Sequence, residues 1–239
     1  MIGFPRPVTK SARAVVTGAG SGIGRAFAVE LARRGAHVLC ADIDAASAKE
    51  TVDLIAAKGG DAIAFVCDVS RSDDIELLRD RAIDWFAGAP TLLINNAGIG
   101  AGGHTVGRSD LDDWERTLGI NLWGAIYGCH HFVPVMREHG HGGIINVASA
   151  AGFAAGPRMA AYNVSKAGVM SLSETLATEL AGSGLRVTVL CPTFVKTNIF
   201  TGPLIESGAA DAAAGIAKYV GMSPDKVART TLDAHDKGR

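Results

Sequence analysis

The stretch Gly18-Ala19-Gly20-Ser21-Gly22-Ile23-Gly24 lies between two segments of opposite character, and that placement constrains the fold more than any other feature of the chain. Before it, Arg13-Ala14-Val15-Val16-Thr17 is short and β-rich. After it, Arg25-Ala26-Phe27-Ala28-Val29-Glu30-Leu31-Ala32-Arg33-Arg34 has helical period and holds neither Gly nor Pro. Glycines let a backbone come close to a pyrophosphate, and a helix N-terminus offers free N–H groups and the positive end of its dipole. A Gly cluster alone is weak, since many turns are Gly-rich. Between a strand and a helix, the spacing Thr17-Gly18-x-x-x-Gly22-x-Gly24, with Ser21 and Ile23 inside it, predicts a phosphate-binding turn.

Apolar runs alternate with helical patterns along the rest of the chain. Strands are predicted near 13–17, 36–41, 62–67, 91–95, 143–148 and 185–190, with helices near 22–34, 45–58, 72–87, 110–138 and 161–182. This alternation predicts an α/β fold, a doubly wound parallel sheet covered by helices on both faces. Ligands of such sheets bind beyond the carboxyl ends of the strands. At 239 residues, 48% hydrophobic and with 30 Gly, the chain suits one domain, taken as 12–239. Residues 1–11, interrupted by Pro5 and Pro7, read as a loose lead-in.

The second strand, Ala36-His37-Val38-Leu39-Cys40-Ala41, ends at Asp42, roughly 20 residues beyond the Gly turn, where a carboxylate can bind a ribose diol. Two like charges ~4 Å apart cost roughly 4 kcal/mol at an effective dielectric of ~20, so a 2′-phosphate beside Asp42 is disfavoured. NAD(H) is therefore expected ahead of NADP(H). A strand-end Asp can also cap the next helix, but Asp44 is better placed for that, directly before Ala45-Ala46-Ser47.

Further along, Ile144-Ile145-Asn146-Val147-Ala148 reads as a strand ending at Ser149, and Tyr162 and Lys166 follow thirteen residues later, four apart on a predicted helix. Residues i and i+4 share a helix face. An ammonium beside a phenol lowers the phenol pKa from its ordinary value near ~10, which suits an acid/base at neutral pH.

Taken together, Thr17-Gly18-x-x-x-Gly22-x-Gly24, Asn95-Asn96-Ala97-Gly98, Ser149 and Tyr162-x-x-x-Lys166 resemble the compact branch of the short-chain dehydrogenase/reductase family, over nearly the whole chain from about Ala12. The resemblance implies a Rossmann-type fold and hydride transfer between NAD(H) and an alcohol or ketone. It matches Asn121, Ser149, Tyr162 and Lys166 to catalytic positions, with Tyr162 exchanging the substrate proton and Asn121 holding water in a proton relay. It matches Asp68 and Val69 to an adenine-contacting pair, Asn95 to Gly98 to the cofactor cleft, and Pro192, Val195 and Thr197 to the segment bordering the nicotinamide. Thr193 stands where the family usually has Gly, and a Cβ there narrows the backbone's options. The family usually adds a final strand after the helix that starts at Ser223-Pro224, and none is found; a truncated chain, an omitted tail or a shorter sheet would each account for that.

Phe153, Met159 and Phe194 are candidate substrate contacts, and 197–222, rich in Ala and Gly, reads as a lid over an apolar pocket. Hydrophobic secondary alcohols or ketones are favoured as substrates. Arg158 is a candidate for an anionic tail or, as the plainer reading, a solvated side chain. Rival readings are an NADPH-dependent carbonyl reductase, a non-catalytic nucleotide-binding relative, an epimerase or dehydratase of the longer branch, and a dehalogenase-like relative. The intact Ser149, Tyr162, Lys166 and Asn121 speak against the second, the shorter chain and the spacing Gly18-x-x-x-Gly22-x-Gly24 against the third, and the Gly turn and Asp42 against the last.

A net charge of −1 implies no broad attraction to nucleic acid or membrane. No apolar run reaches membrane-spanning length and no signal-peptide core opens the chain. Cys40, Cys67, Cys129 and Cys191 lack a C-x-x-C pattern and read as buried thiols in a reducing cytoplasm. His130-His131 and His139-x-His141 lack companion ligands, so no metal is expected. A homodimer or homotetramer is expected from the resemblance. Ala125, Val169, Leu172 and Leu176 would suit such packing or the intramolecular core equally.

Overall fold

The computed structural model describes residues 7–197, 199, 204–205 and 221–238. The elements run β1 (Arg13–Thr17), α1 (Gly22–Arg33), β2 (His37–Asp42), α2 (Ala45–Ala56), β3 (Asp61–Val66), α3 (Ser72–Phe86) and β4 (Leu92–Asn95). They continue α4 (Leu111–Leu118), α5 (Gly124–His139), β5 (Gly142–Val147), α6 (Ala160–Glu179), β6 (Leu185–Leu190) and α7 (Pro224–Asp236). Each of the six strands falls within about a residue of its predicted place. Where one helix was predicted over 110–138, α4 and α5 are joined by a π turn, Gly119–Trp123, which carries Asn121. Such turns cluster at functional sites.

All strand pairings are parallel, in the order β3-β2-β1-β4-β5-β6. The chain winds outward from β1 to β3, returns, and winds outward the other way from β4 to β6. The crevice above β1 and β4 is therefore the switch point where ligands of such sheets bind. Alternate residues feed two cores. Val16, Val38 and Ile94 pack with Phe27, Leu31 and Leu232 on one face. Val15, Leu39 and Ile144 pack with Leu78, Phe132 and Met136 on the other. Ala125 and Val169 are buried in a third cluster and Leu176 in the second, so these residues serve the core of this chain.

The lead-in is not loose over its second half. Val8 and Thr9 are buried, and Thr9 donates through its N–H and its hydroxyl to Asp236 of α7 at 3.0 and 2.6 Å. Arg34, at the C-cap of α1, bonds Asp233 of α7 at 2.7 Å and Glu30 at 2.9 Å. Arg33 foremost, and Arg34, hold the Glu30 carboxyl down at about 2. Pro5 and Pro7 mislead here because the partner carboxylate is more than 220 residues away in sequence. Ser223 caps α7 by accepting from Lys226 N at 3.3 Å. Among the described residues the sheet ends at β6, and most of the expected lid, 197–222, lies outside them.

Candidate active site

The glycine turn sits at the carboxyl end of β1. Gly18 and Gly22 adopt φ of +63° and +53°, which glycine alone takes readily. A Cβ on Gly24 would stand 2.0 Å from the Gly18 carbonyl oxygen, so only glycine lets α1 start this close to the turn. Ser21 opens α1 without capping it through its side chain. The first N–H groups of this 12-residue helix therefore have no side-chain cap among the described residues, and its dipole points at the crevice. Asn96 ties the end of β4 to this turn: its Nδ2 donates to the carbonyls of Thr17 and Gly18 at 2.8 and 3.2 Å. Thr17 Oγ1 accepts from the N–H groups of Asn96 and Ala97 at 3.0 and 3.1 Å.

Asp42 lies half-buried beside the turn, its Oδ2 accepting from Gly20 N at 2.8 Å and its Oδ1 from Asp44 N at 3.0 Å. Asp44, as its position suggested, caps α2 by accepting from Ala46 N and Ser47 N. Asp68 is half-buried with Oδ1 bonded to Ser70, while Val69 is buried against Gly124. Thr197 lies over the start of α1, its Cγ2 3.2 Å from where a Gly22 Cβ would stand. The Pro192 carbonyl accepts from Ala150 N at 3.0 Å, and Val195 is buried and bridged to Met222. Thr193 does not take a positive φ, so its Cβ meets no backbone conflict.

One expected cleft residue faces elsewhere. The Asn95 side chain is buried under the sheet, donating to Asn146 Oδ1 at 2.9 Å, and Asn146 donates to Ser173 Oγ at 3.0 Å. Strand alternation turns Asn95 away from the cofactor side, and Gly128 makes room for it. Ala97, past the strand end, packs against Gly18 of the turn.

Gly98 also marks where the two halves of the site meet. A Cβ there would lie 3.1 Å from Asn121 Oδ1 and 3.4 Å from Lys166 Nζ. Asn121, in the π turn, holds this strip by pairing with the backbone of Ile99, accepting at 2.8 Å and donating at 2.9 Å. Its second Nδ2 hydrogen goes to Ser165 Oγ at 3.3 Å. No side-chain donor is left for the relay water that the resemblance assigned to it.

Ser149, Tyr162 and Lys166 converge as predicted, and all three are buried. Ser149 Oγ accepts from Ala151 N at 3.2 Å and shares a hydrogen bond with Tyr162. Lys166 Nζ donates to the Val147 carbonyl at 3.0 Å and stands 5.8 Å from the Tyr162 ring centroid. The expected lowering of the phenol pKa by this ammonium is not what the arrangement produces. Burial pushes Tyr162 up, and only the Ser149 hydrogen bond opposes it. Burial also pulls Lys166 down to about 8, so its charge is itself weakened. A backbone carbonyl holding Lys166 carries no sequence signal, which is why Val147 escaped notice.

At the start of α6, a crevice of about 30 Å³ is lined by Gly102, His104, Asp113, Trp114, Arg158 and Met159 among others. Ala101, Ala160, Ala161 and Leu204 line it as well. Phe153 is exposed, and Met159 and Phe194 are half-buried. Arg158 takes a φ of +63°, a strained setting for this residue, and its carbonyl accepts from Gly103 N at 2.8 Å. The cysteines are free, and burial pushes Cys40 and Cys67 up to about 12 and Cys129 to about 11. His131 bonds Ser72 Oγ at 2.9 Å and stacks edge-on against His130. Among the described residues no group of His, Cys, Asp or Glu is arranged to hold a metal.

A dinucleotide suits this crevice on three observations: the uncapped start of α1, the missing Cβ atoms at Gly18 to Gly24, and the backbone-oriented Asp42 carboxylate. Fold and site together define a doubly wound nucleotide-binding protein with a Ser-Tyr-Lys cluster beside the cofactor crevice. The sequence model described as short chain dehydrogenase matches residues 12–203, and the chain belongs to that family of oxidoreductases. A "Probable oxidoreductase EphD" of Mycobacterium tuberculosis (strain ATCC 25618 / H37Rv) is 37% identical over 99% of this chain. The chain spans 41% of that relative's length. The cyclohexanol dehydrogenase of Acinetobacter sp. (strain SE19) is 35% identical, the match covering 77% of this chain and 73% of that one. Among solved structures, a short chain dehydrogenase/reductase from Burkholderia phymatum in complex with NAD superposes with a TM-score of 0.90 at 36% identity, covering 97% of this chain and 88% of that one. No helix among the described residues is long and apolar enough to cross a membrane.

Proposed function

We propose that this chain transfers hydride between NAD(H) and a hydrophobic secondary alcohol or ketone, with Tyr162 as the general acid/base. The observation that carries the reading is the meeting of Ser149, Tyr162 and Lys166 in one buried cluster that abuts Gly98 at the edge of the nucleotide crevice. A bound nicotinamide would supply the hydride acceptor or donor. The turn from Gly18 to Gly24 would hold its pyrophosphate, Asp42 its adenosine ribose, and Thr197 its far side. Tyr162 Oη takes the proton from the alcohol oxygen during oxidation and returns it to the carbonyl oxygen during reduction. Ser149 Oγ holds that oxygen beside the phenol. The Lys166 ammonium adds positive charge next to the phenolate as it forms, and Asn121 fixes the strip from Gly98 to Ile99.

The preference for NAD rests on the Asp42 charge. The preference for an apolar substrate rests on the apolar side chains Phe153, Met159 and Phe194, of which Met159 lines the crevice at the start of α6, and on similarity to a cyclohexanol dehydrogenase and a 3β-hydroxysteroid dehydrogenase. The buried, high-pKa thiols suit a reducing cytoplasm. Exposed Trp123 in the π turn and Val164 on α6 offer a face for self-association as a homodimer or homotetramer.

The test follows absorbance at 340 nm with a panel of secondary alcohols and ketones, using NAD(H) and NADP(H) in parallel. Turnover with NAD(H) on apolar members is expected. Comparable efficiency with both cofactors would refute the role given to Asp42, and preference for highly polar substrates would refute the apolar reading of the substrate. Sedimentation giving monomer alone would refute self-association.

A further inference from the structure

Two consecutive peptide units of the glycine turn are gripped from outside by side chains with no part in the sequence motif. In the Ala19–Gly20 unit, the carbonyl accepts from Thr51 Oγ1 at 2.8 Å and the N–H donates to Asp42 Oδ2 at 2.8 Å. In the Gly20–Ser21 unit, the carbonyl accepts from Arg25 Nη2. That nitrogen also meets Glu50 Oε2 at 2.6 Å, and Arg25 Nε donates to Thr51 Oγ1 at 3.1 Å. Thr51 is fully buried and the Arg25 side chain is only 26% exposed. The turn has no slack on this side: a Cβ on Gly20 would lie 2.7 Å from Ser47 Cβ and 2.8 Å from Asp42 Oδ2.

We propose that Arg25, acting with Thr51 and Glu50, is a positioning residue that fixes the glycine turn and the Asp42 carboxylate, so that selection of NAD against NADP depends on this clamp as well as on the Asp42 charge. The inference rests on reading the turn as a dinucleotide site. A carboxylate free to rotate can swing away from a 2′-phosphate and relieve most of the repulsion. Asp42 is tethered at both oxygens, to Gly20 N and Asp44 N, and swinging away breaks charge-assisted hydrogen bonds. The Gly20 tether is only as firm as its peptide unit, and Thr51 and Arg25 hold that unit and the next. Donors fixed in advance also need no ordering when the ligand arrives. Glu50 neutralises the guanidinium, so Arg25 does not present a free cation to a 2′-phosphate.

The experiment measures NAD⁺ and NADP⁺ dissociation constants by calorimetry, and thermal unfolding without cofactor, for the wild type and for Arg25→Met, Arg25→Lys and Glu50→Gln. The expected result is that Arg25→Met weakens NAD⁺ binding about tenfold and NADP⁺ binding less, which narrows the ratio between them, and that Arg25→Lys restores part of both. A lower melting temperature with wild-type NAD⁺ affinity and ratio would make Arg25 a structural residue only and overturn the proposal. If Arg25→Met does not fold, Glu50→Gln, at an exposed carboxylate, carries the test. An unchanged ratio there would overturn the proposal in the same way. A wild type that binds neither nucleotide would overturn the dinucleotide reading itself, and the inference with it.

Discussion

The glycine turn after β1 and the Ser149–Tyr162–Lys166 cluster after β5 stand side by side at the same edge of the sheet, yet they are built on opposite principles. The turn works by omission. Its missing Cβ atoms admit Gly18 O beside Gly24 and Asn96 Nδ2 beside Gly18, and α1 begins without a side-chain cap from Ser21. The cluster works by addition. Three long or polar side chains, from the end of β5 and from α6, enter a space where burial pushes the phenol up and the ammonium down. An omission is local and steric, so it tolerates no substitution but is readable as spacing. A buried cluster depends on what surrounds it, so its residues can be recognised while their ionisation cannot.

Substitutions can break this contrast in order of expected effect. Tyr162→Phe removes the hydroxyl proposed to carry the proton and leaves the turn untouched. Turnover is expected to fall by about 10³-fold, within the usual range for losing a general acid/base, while NAD⁺ affinity measured by calorimetry changes little. A variant that keeps a large share of its activity would refute the assignment. Gly24→Ala acts on the other region: its Cβ must displace the Gly18 carbonyl, at a cost of about 1–3 kcal/mol from overpacking. NAD⁺ affinity and melting temperature are expected to drop together, and wild-type values for both would show that the turn has slack.

The smallest effect sharpens the comparison away from both sites. Gly143 of β5 works by omission too, since a Cβ there would stand 1.9 Å from His235 Nε2. His235 is fully buried, shares a hydrogen bond of 2.8 Å with Thr188 Oγ1, and is pulled by burial from 6.5 down to about 4. Above pH 6.5 the ring is neutral whether folded or unfolded, and stability is unaffected. As pH falls from 6.5 to about 4, the unfolded chain gains a proton that the folded chain refuses, and up to roughly 3 kcal/mol is lost. The fall in melting temperature across that window is expected to flatten in His235→Asn. An equally steep fall would mean that other groups set the acid limb, with Glu30 the first suspect below pH 4.5.

Strand positions were legible because parallel strands buried on both faces read as apolar runs. The π turn inside the helix predicted over 110–138 was not, since nothing in Leu118-Gly119-Ile120-Asn121-Leu122 distinguishes it from an ordinary helical stretch. Thr9 was misread as part of a loose segment because its partner, Asp236, lies at the far end of the chain. Asn95 was grouped with Ala97 and Gly98 because motif spacing does not say which face of a strand a side chain takes.

Sequence alone determined the alternation of elements, the place of the glycine turn, and the residues Ser149, Tyr162 and Lys166, because each is written in spacing along a few turns of chain. Only the tertiary structure decided that Tyr162 is raised rather than lowered, that Lys166 rests on the Val147 carbonyl, and that Arg25 and Thr51 grip the glycine turn. The physical reason is common to all three. Desolvation and hydrogen bonding depend on atoms brought close by folding, and those atoms, backbone carbonyls above all, leave no mark in the residue types that carry them.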